Sequence, residues 1–162
     1  MECRPRLLVL GIGNLLMGDE GVGVHAIRAL EKERLPAGVD LLDGGTGGFH
    51  LLSCLSDYRC VVVIDATMDG NEPGTVGITK PRFLSDYPRS LGAHDVGLRD
   101  LIESAALLGP LPTVHLITVS ITDIRSATTE LTPAVQRALV RVVQSVQRIL
   151  CEGKFQPSDA GP

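Results

Sequence analysis

Polar side chains that can bind metals or move protons recur in this chain close to the ends of apolar runs. Asp19 and Glu20 follow the first apolar run, Asp43 follows the second and Asp65 the third. The imidazole of His94 precedes a later helical pattern. A carboxylate beside buried β-branched residues is costly to desolvate unless a cation, a hydrogen-bond donor or solvent reaches it. Each residue alone could instead cap a loop by accepting backbone N–H bonds. Their common position favours a shared site.

Within this set, Glu20, Asp65 and His94 would offer two carboxylate oxygens and one imidazole nitrogen. Such donors suit a divalent first-row metal. Three ligands leave a position open for something the site acts on, whereas a structural site is closed by four. The spacing of the three residues does not by itself select them. The neighbouring Asp19 could simply be stabilised by the positive N-terminus of the helix that follows, but this effect accounts less fully for Glu20.

Other chemistries have weaker signals. The turn at 11–13 has the glycines of a dinucleotide fingerprint, but Leu16 stands where the third glycine is needed, and the acidic pair after it would repel a pyrophosphate. Neither a phosphate-loop motif nor G-x-S-x-G occurs. His50 and Cys54 are four residues apart, yet no second pair completes a zinc site. We therefore expect no nucleotide, and any enzyme here would rely on a metal or on carboxylates.

The composition excludes several classes of partner. The 162 residues carry a net charge of −4 and only 3 Phe and 2 Tyr, with no Trp, so the cationic surface and stacking platforms of most nucleic-acid binders are missing. The four cysteines form no C-x-x-C pair, which favours a reducing compartment, the cytoplasm. An uncharged stretch over 104–122 is broken by Gly109–Pro110 and Pro112, so we expect no membrane span. The acidic pair after the first apolar run likewise argues against a signal peptide.

The elements that would position these residues alternate along the chain. Apolar runs predict strands over 7–10, 39–42, 60–64 and 113–120, and an edge strand over 75–79. Helical spacing begins near 21 and around 49, at Asp95 as N-cap, and at Thr132 followed by Pro133. The third of these helices has an apolar face of Leu98, Leu101, Ile102, Ala105 and Leu108. This order predicts one α/β domain over 1–152, with a mostly parallel sheet covered on both faces and a disordered tail over 153–162. Ligands bind such sheets at the carboxyl ends of the strands, where the strand order reverses.

Several motifs in the same order resemble the hydrogenase maturation proteases, over about residues 6–150. They are LGIGNLLMGDEGVGV at 10–24, LDGGTGG at 42–48, VIDA at 63–66, PGT at 73–75, HDVGL at 94–98 and LTP at 131–133. The resemblance implies a three-layer fold with a twisted, mixed, mostly parallel five-stranded sheet between helices. It also implies an endopeptidase that removes the C-terminal extension of a [NiFe] hydrogenase large-subunit precursor once nickel has been inserted.

The resemblance assigns the metal ligands to Glu20, Asp65 and His94. The nickel is expected to come with the precursor, so that only loaded subunits are cut, and Zn or Cd ions are expected to substitute for it. The glycine-rich turn Asp43, Gly44, Gly45 and Thr46 is expected to let the precursor's extended tail approach the backbone. The catalytic group stays unassigned, since a metal could activate water or polarise the carbonyl and a carboxylate could act as general base. The alternative function is a nickel-sensing chaperone that binds the precursor without cutting it.

Overall fold

Strands and helices alternate along the part of the chain that the computed structural model describes, residues 7–46, 48, 50–88, 97–125 and 127–152. The elements are β1 Leu7–Gly11, α1 Val22–Leu30, β2 Val39–Asp43, α2 Leu51–Asp57, β3 Cys60–Thr67, β4 Val76–Thr79, α3 Leu98–Leu108, β5 Thr113–Ser120 and α4 Pro133–Glu152. Two short 3₁₀ turns cover Gly18–Gly21 and Leu84–Asp86. None of the described helices is long and apolar enough to cross a membrane.

The five strands form one sheet in the order β2-β1-β3-β5-β4. All neighbours are parallel except β4, which runs antiparallel to β5 at one edge. The expected mixed, mostly parallel five-stranded sheet is therefore confirmed. The chain moves outward from β1 to β2 and then crosses to β3 on the other side of β1. Strand order thus reverses between β1 and β3, which makes their carboxyl ends the place to look for a ligand.

Side-chain alternation along the strands divides the core into two layers. Leu7 and Val9 of β1 face α1 and α4, whereas Leu8 and Leu10 face α2 and α3. All of β1 and the first five residues of β3 are buried, as expected for central parallel strands with helices on both faces.

Three expectations about the elements need correction, and a fourth lies outside the described residues. β3 does not stop before Asp65 but continues to Thr67, because β5 remains beside it and pairs Asp65 with Thr118. Leu108 is 76% exposed because it lies at the rim of the apolar stripe in the last turn of α3. The prediction of Asp95 as the N-cap is wrong, because α3 begins at Leu98 with Gly97 as its N-cap, and the Gly97 amide donates to the Asp100 carboxylate at 3.1 Å. The tail 153–162 lies outside the described residues.

Candidate active site

The loop after β1 places Glu20 at the strand-order reversal. A 3₁₀ turn over Gly18–Gly21 follows the loop and buries Glu20 to 8% exposure. The turn folds back so closely that a Cβ at Gly13, whose φ is +146°, would collide with the carbonyl oxygen of Glu20. A residue without a side chain is therefore required at position 13.

Asp65 lies where β3 extends past the end of β1. β1 stops at Gly11 opposite Ile64, and the amide of Ile12 donates to the Ile64 carbonyl at 2.9 Å before the loop leaves the sheet. The half-buried carboxylate of Asp65 accepts the amide of Ala66 at 2.8 Å. One flank of Asp65 is thus covered by the Glu20 loop instead of by a strand.

The carboxyl groups of Glu20 and Asp65 interact electrostatically. The pKa of Asp65 is raised to about 8, chiefly by burial; the hydrogen bond from the Ala66 amide lowers it and the negative charge of Glu20 raises it. Two acidic groups that repel each other inside a poorly hydrated site form a place where a cation would be stabilised. The structure therefore brings two of the three predicted metal ligands into electrostatic contact.

The predicted substrate-binding turn lies next to the first loop. The Gly44 amide donates to the Gly11 carbonyl at 2.8 Å, and the Gly13 amide donates to the Gly45 carbonyl at 2.7 Å. The Asp43 carboxylate accepts the Gly45 amide at 2.9 Å, which holds the turn. The exposed Thr46 ends it. The four residues of this turn thus border the loop that carries Glu20, as a substrate-binding role would need, and that role stays a prediction.

The third predicted ligand, His94, lies outside the described residues. Within the described ranges, no three His, Cys, Asp or Glu side chains are grouped closely enough to hold a metal ion. The site that the structure describes therefore consists of Glu20, Asp65 and the two glycine loops, and the three-ligand set remains a prediction.

Sequence reasoning missed the contact of residues 121–125 and 127–132 with the first loop. Gly18 donates its amide to the Thr128 carbonyl at 2.8 Å, and the Arg125 side chain lies against Gly18 while donating to the Glu130 carbonyl at 2.9 Å. No local pattern could have indicated this contact, because more than a hundred residues separate the two segments.

Asp19 has a role that was not expected. Its carboxylate accepts two hydrogen bonds from Thr132, one from the amide at 2.6 Å and one from the hydroxyl at 2.8 Å. Thr132 precedes α4 as expected, and its carbonyl accepts the Gln136 amide at 2.8 Å. Asp19 thereby ties the turn that carries Glu20 to the start of the longest helix.

Comparisons with known proteins agree with this architecture. The family model for hydrogenase maturation proteases matches residues 24–149. The chain belongs to the hydrogenase maturation protease family. This membership confirms the resemblance drawn from the motifs.

Individual relatives give the extent of the similarity. The hydrogenase 2 maturation protease of Escherichia coli strain K12 is 31% identical over 150 residues, which cover 91% of this chain and 92% of that protein. The hydrogenase expression/formation protein HoxM of Azotobacter vinelandii is 42% identical over 113 residues, 67% of this chain and 54% of that protein. This chain spans about half the length of HoxM and of a second relative, the hydrogenase expression/formation protein HupM of Azotobacter chroococcum. The solved structure of the hydrogenase maturating endopeptidase HybD from E. coli matches with a TM-score of 0.82 at 31% identity, covering 92% of this chain and 94% of that one.

Proposed function

We propose that this protein is an endopeptidase that removes the C-terminal extension of a [NiFe] hydrogenase large-subunit precursor after nickel insertion. Family membership supports the coarse activity, and relatives of similar fold are described as a hydrogenase 2 maturation protease and as a hydrogenase maturating endopeptidase. The observation that carries the finer proposal is the position of two carboxyl groups at the strand-order reversal, Glu20 at 8% exposure and the half-buried Asp65, whose pKa is raised by burial. Such a site favours a cation, and it lies beside the turn at 43–46, whose Asp43 and Thr46 are exposed.

The donor set fits nickel that arrives as part of the substrate. Glu20 and Asp65 would supply two oxygen ligands, and His94 would supply an imidazole nitrogen. Divalent nickel accepts both donor types. With three protein ligands the site leaves positions for groups that the precursor already holds on its nickel. Zn and Cd ions, which accept oxygen and imidazole ligands as well, would substitute in a binding assay.

Selection of loaded precursor follows from this charge balance. Without a cation, the pKa of Asp65, about 8, leaves this carboxyl group protonated at neutral pH, and an empty precursor brings no charge that would favour its ionisation. A nickel-loaded precursor brings the compensating positive charge, so it binds better than an empty one. The turn at 43–46, whose Asp43 and Thr46 are exposed, would then contact the extended tail beside the site.

The proposal is tested by incubating the protein with a nickel-loaded large-subunit precursor and measuring the mass of the precursor. We expect loss of the C-terminal extension, and no loss with precursor that lacks nickel. Glu20→Gln, Asp65→Asn and His94→Ala should each reduce cleavage at least tenfold while the far-UV circular dichroism spectrum is unchanged.

Matched controls at exposed positions change the same chemistry elsewhere. Glu31→Gln and Asp57→Asn alter exposed residues at the carboxyl ends of α1 and α2, away from the two loops, so these variants should cleave normally. An unchanged precursor mass under conditions where the two proteins bind would overturn the peptidase proposal and favour a nickel-sensing chaperone. Normal cleavage by all three site variants would show that the proposed metal site takes no part in cleavage.

A further inference from the structure

The edge strand β4 leaves hydrogen-bonding groups of its backbone open. The Ser120 amide donates to the Thr75 carbonyl at 2.9 Å, and the register continues by pairing Gly77 with Thr118. Because hydrogen-bonded and non-hydrogen-bonded pairs alternate in an antiparallel ladder, the amides and carbonyls of Val76 and Ile78 point away from β5. β4 is last in the described sheet, so no strand of the described chain pairs with these groups.

A basic groove runs beside this edge. It has a volume of about 390 Å³ and lies between β4 and α4, and it is lined by Val76, Ile78, Arg141, Gln144, Ser145 and Arg148. Both arginines are exposed. Arg148 contacts only Glu152 among the described ion pairs, at 3.8 Å, and both side chains are mostly exposed, so this pair costs little to break. Ile78 adds an apolar surface that is 39% exposed.

The spacing of the two arginines matches an extended chain. They are seven residues apart on α4, which is about 10 Å along the helix axis. Acidic side chains at alternate positions of a strand are about 7 Å apart on one face, a distance that flexible arginines accommodate. We propose that the open edge of β4 and the arginines of α4, together the β4 strip, bind an extended acidic segment of the large-subunit precursor. This inference rests on the proposed function.

The position of the β4 strip connects it to the candidate active site. Asp65 pairs with Thr118, which pairs with Gly77, so β4 lies two strand spacings, about 10 Å, from Asp65. A strand added outside β4 would lie about 14 Å from Asp65, a distance that about five extended residues span. Asp65 alternates with Ile64 and Ala66, which face the α4 side, so a segment on the β4 strip would reach its side chain by passing the end of the sheet to the other face.

Charge decides against a second copy of this chain as the occupant. Pairing β4 with β4 of another copy would bring four arginines together. The other sheet edge, β2, does carry acidic residues, but Asp40 accepts the Tyr58 hydroxyl at 2.7 Å and Asp43 accepts the Gly45 amide at 2.9 Å. An acidic strand on another protein meets neither obstacle, and main-chain pairing to a sheet edge is an established mode of peptide recognition.

The first test measures direct binding to the wild-type protein. The probe is a synthetic eight-residue peptide in which Glu alternates with Val, and its control has Gln in place of every Glu. We expect the acidic peptide to slow hydrogen exchange at the amides of Val76 and Ile78, to bind at least tenfold tighter than the Gln control, and to weaken as salt rises. Equal affinity for both peptides, or protection of β2 instead, would overturn the inference.

The second test uses two independent sets of variants. Arg141→Glu with Arg148→Glu should weaken peptide binding at least tenfold, whereas the matched pair Arg34→Glu with Arg59→Glu, at exposed positions elsewhere, should change it less than twofold. Ile78→Pro removes an outward amide and no ladder bond, so it should also abolish binding.

The control for the proline is Ile78→Thr, which keeps the amide and should bind within threefold of wild type. Thermal unfolding establishes that each variant is folded.

Cleavage kinetics separate this inference from the proposed function. With the precursor, Arg141→Glu with Arg148→Glu should raise KM at least tenfold and leave kcat unchanged. If wild type cleaves the precursor and this variant cleaves it with the same KM, the β4 strip is refuted while the peptidase stands. If wild type binds the acidic peptide at β4 but cleaves no precursor, the proposed function fails and the strip is retained as a binding surface. A self-associating wild type whose association Ile78→Pro abolishes would make a second copy the occupant.

Discussion

The bond pair between Asp19 and Thr132 provides a quantitative test of how the site is held. Asp19 is 2% exposed, and both of its carboxylate oxygens accept hydrogen bonds from Thr132, at 2.6 and 2.8 Å. Asp19→Ala leaves the amide and the hydroxyl of Thr132 without their partner. Asp19→Asn can still accept from the amide and donate to the hydroxyl.

The expected magnitudes follow from these bonds. A hydrogen bond to a charged group contributes about 1.5–3 kcal/mol, and removing the carboxylate also removes its own desolvation cost, so Asp19→Ala should lower the free energy of unfolding by about 3 kcal/mol. Asp19→Asn should cost about 1 kcal/mol, because two neutral bonds replace two charged ones. Thr132→Val, which removes only the hydroxyl, should cost about 1.5 kcal/mol in the wild type and almost nothing in Asp19→Ala.

The assay is equilibrium unfolding in urea at pH 7 with a chelator present, followed by circular dichroism. The double-mutant cycle of Asp19→Ala and Thr132→Val should give a coupling energy of about 1.5 kcal/mol. If Thr132→Val costs the same in both backgrounds, the hydroxyl bond does not exist in solution, and the turn that carries Glu20 is not held by α4.

Three further predictions concern pH, packing and a thiol. The pKa of Asp65 is raised to about 8, so its contribution to the stability of the metal-free protein is fully present below pH 4 and is lost as pH rises through 8. As pH rises from 4 to 8, the free energy of unfolding of Asp65→Asn should therefore increase by a few kcal/mol relative to that of wild type. Parallel pH profiles of the two proteins would contradict this, and Asp57→Asn is the control. Gly23→Ala should lower the melting temperature or prevent folding, because its Cβ would collide with the backbone oxygen of Ile12; a melting temperature equal to that of wild type would refute the packing. Burial raises the pKa of the Cys60 thiol, so Cys60→Ala should keep precursor cleavage in the mass assay, and loss of cleavage by a folded variant would show that the thiol takes part.

Local patterns were sufficient for the elements of this fold. Short apolar runs such as 60–64 can only be buried strands when helical patterns separate them, and four of the five strand positions were predicted to within one residue. The direction of β4 was not predictable, because four residues with one Gly carry no signal for the neighbour they will pair with. The end of β3 was misplaced for a related reason. Asp65 is a poor strand residue by itself, and only pairing with β5 keeps it in the sheet.

The candidate site divides in the same way. The sequence by itself determined which carboxylates follow the central strands and that glycines surround them, because strand ends and turn residues are local properties. Only the tertiary structure decided that Glu20 and Asp65 interact and that Asp19 bonds to Thr132 at the start of α4. It also decided that two arginines line the groove beside β4. Each of these contacts joins residues more than forty positions apart, and which distant segments meet depends on packing of the whole sheet and its helices.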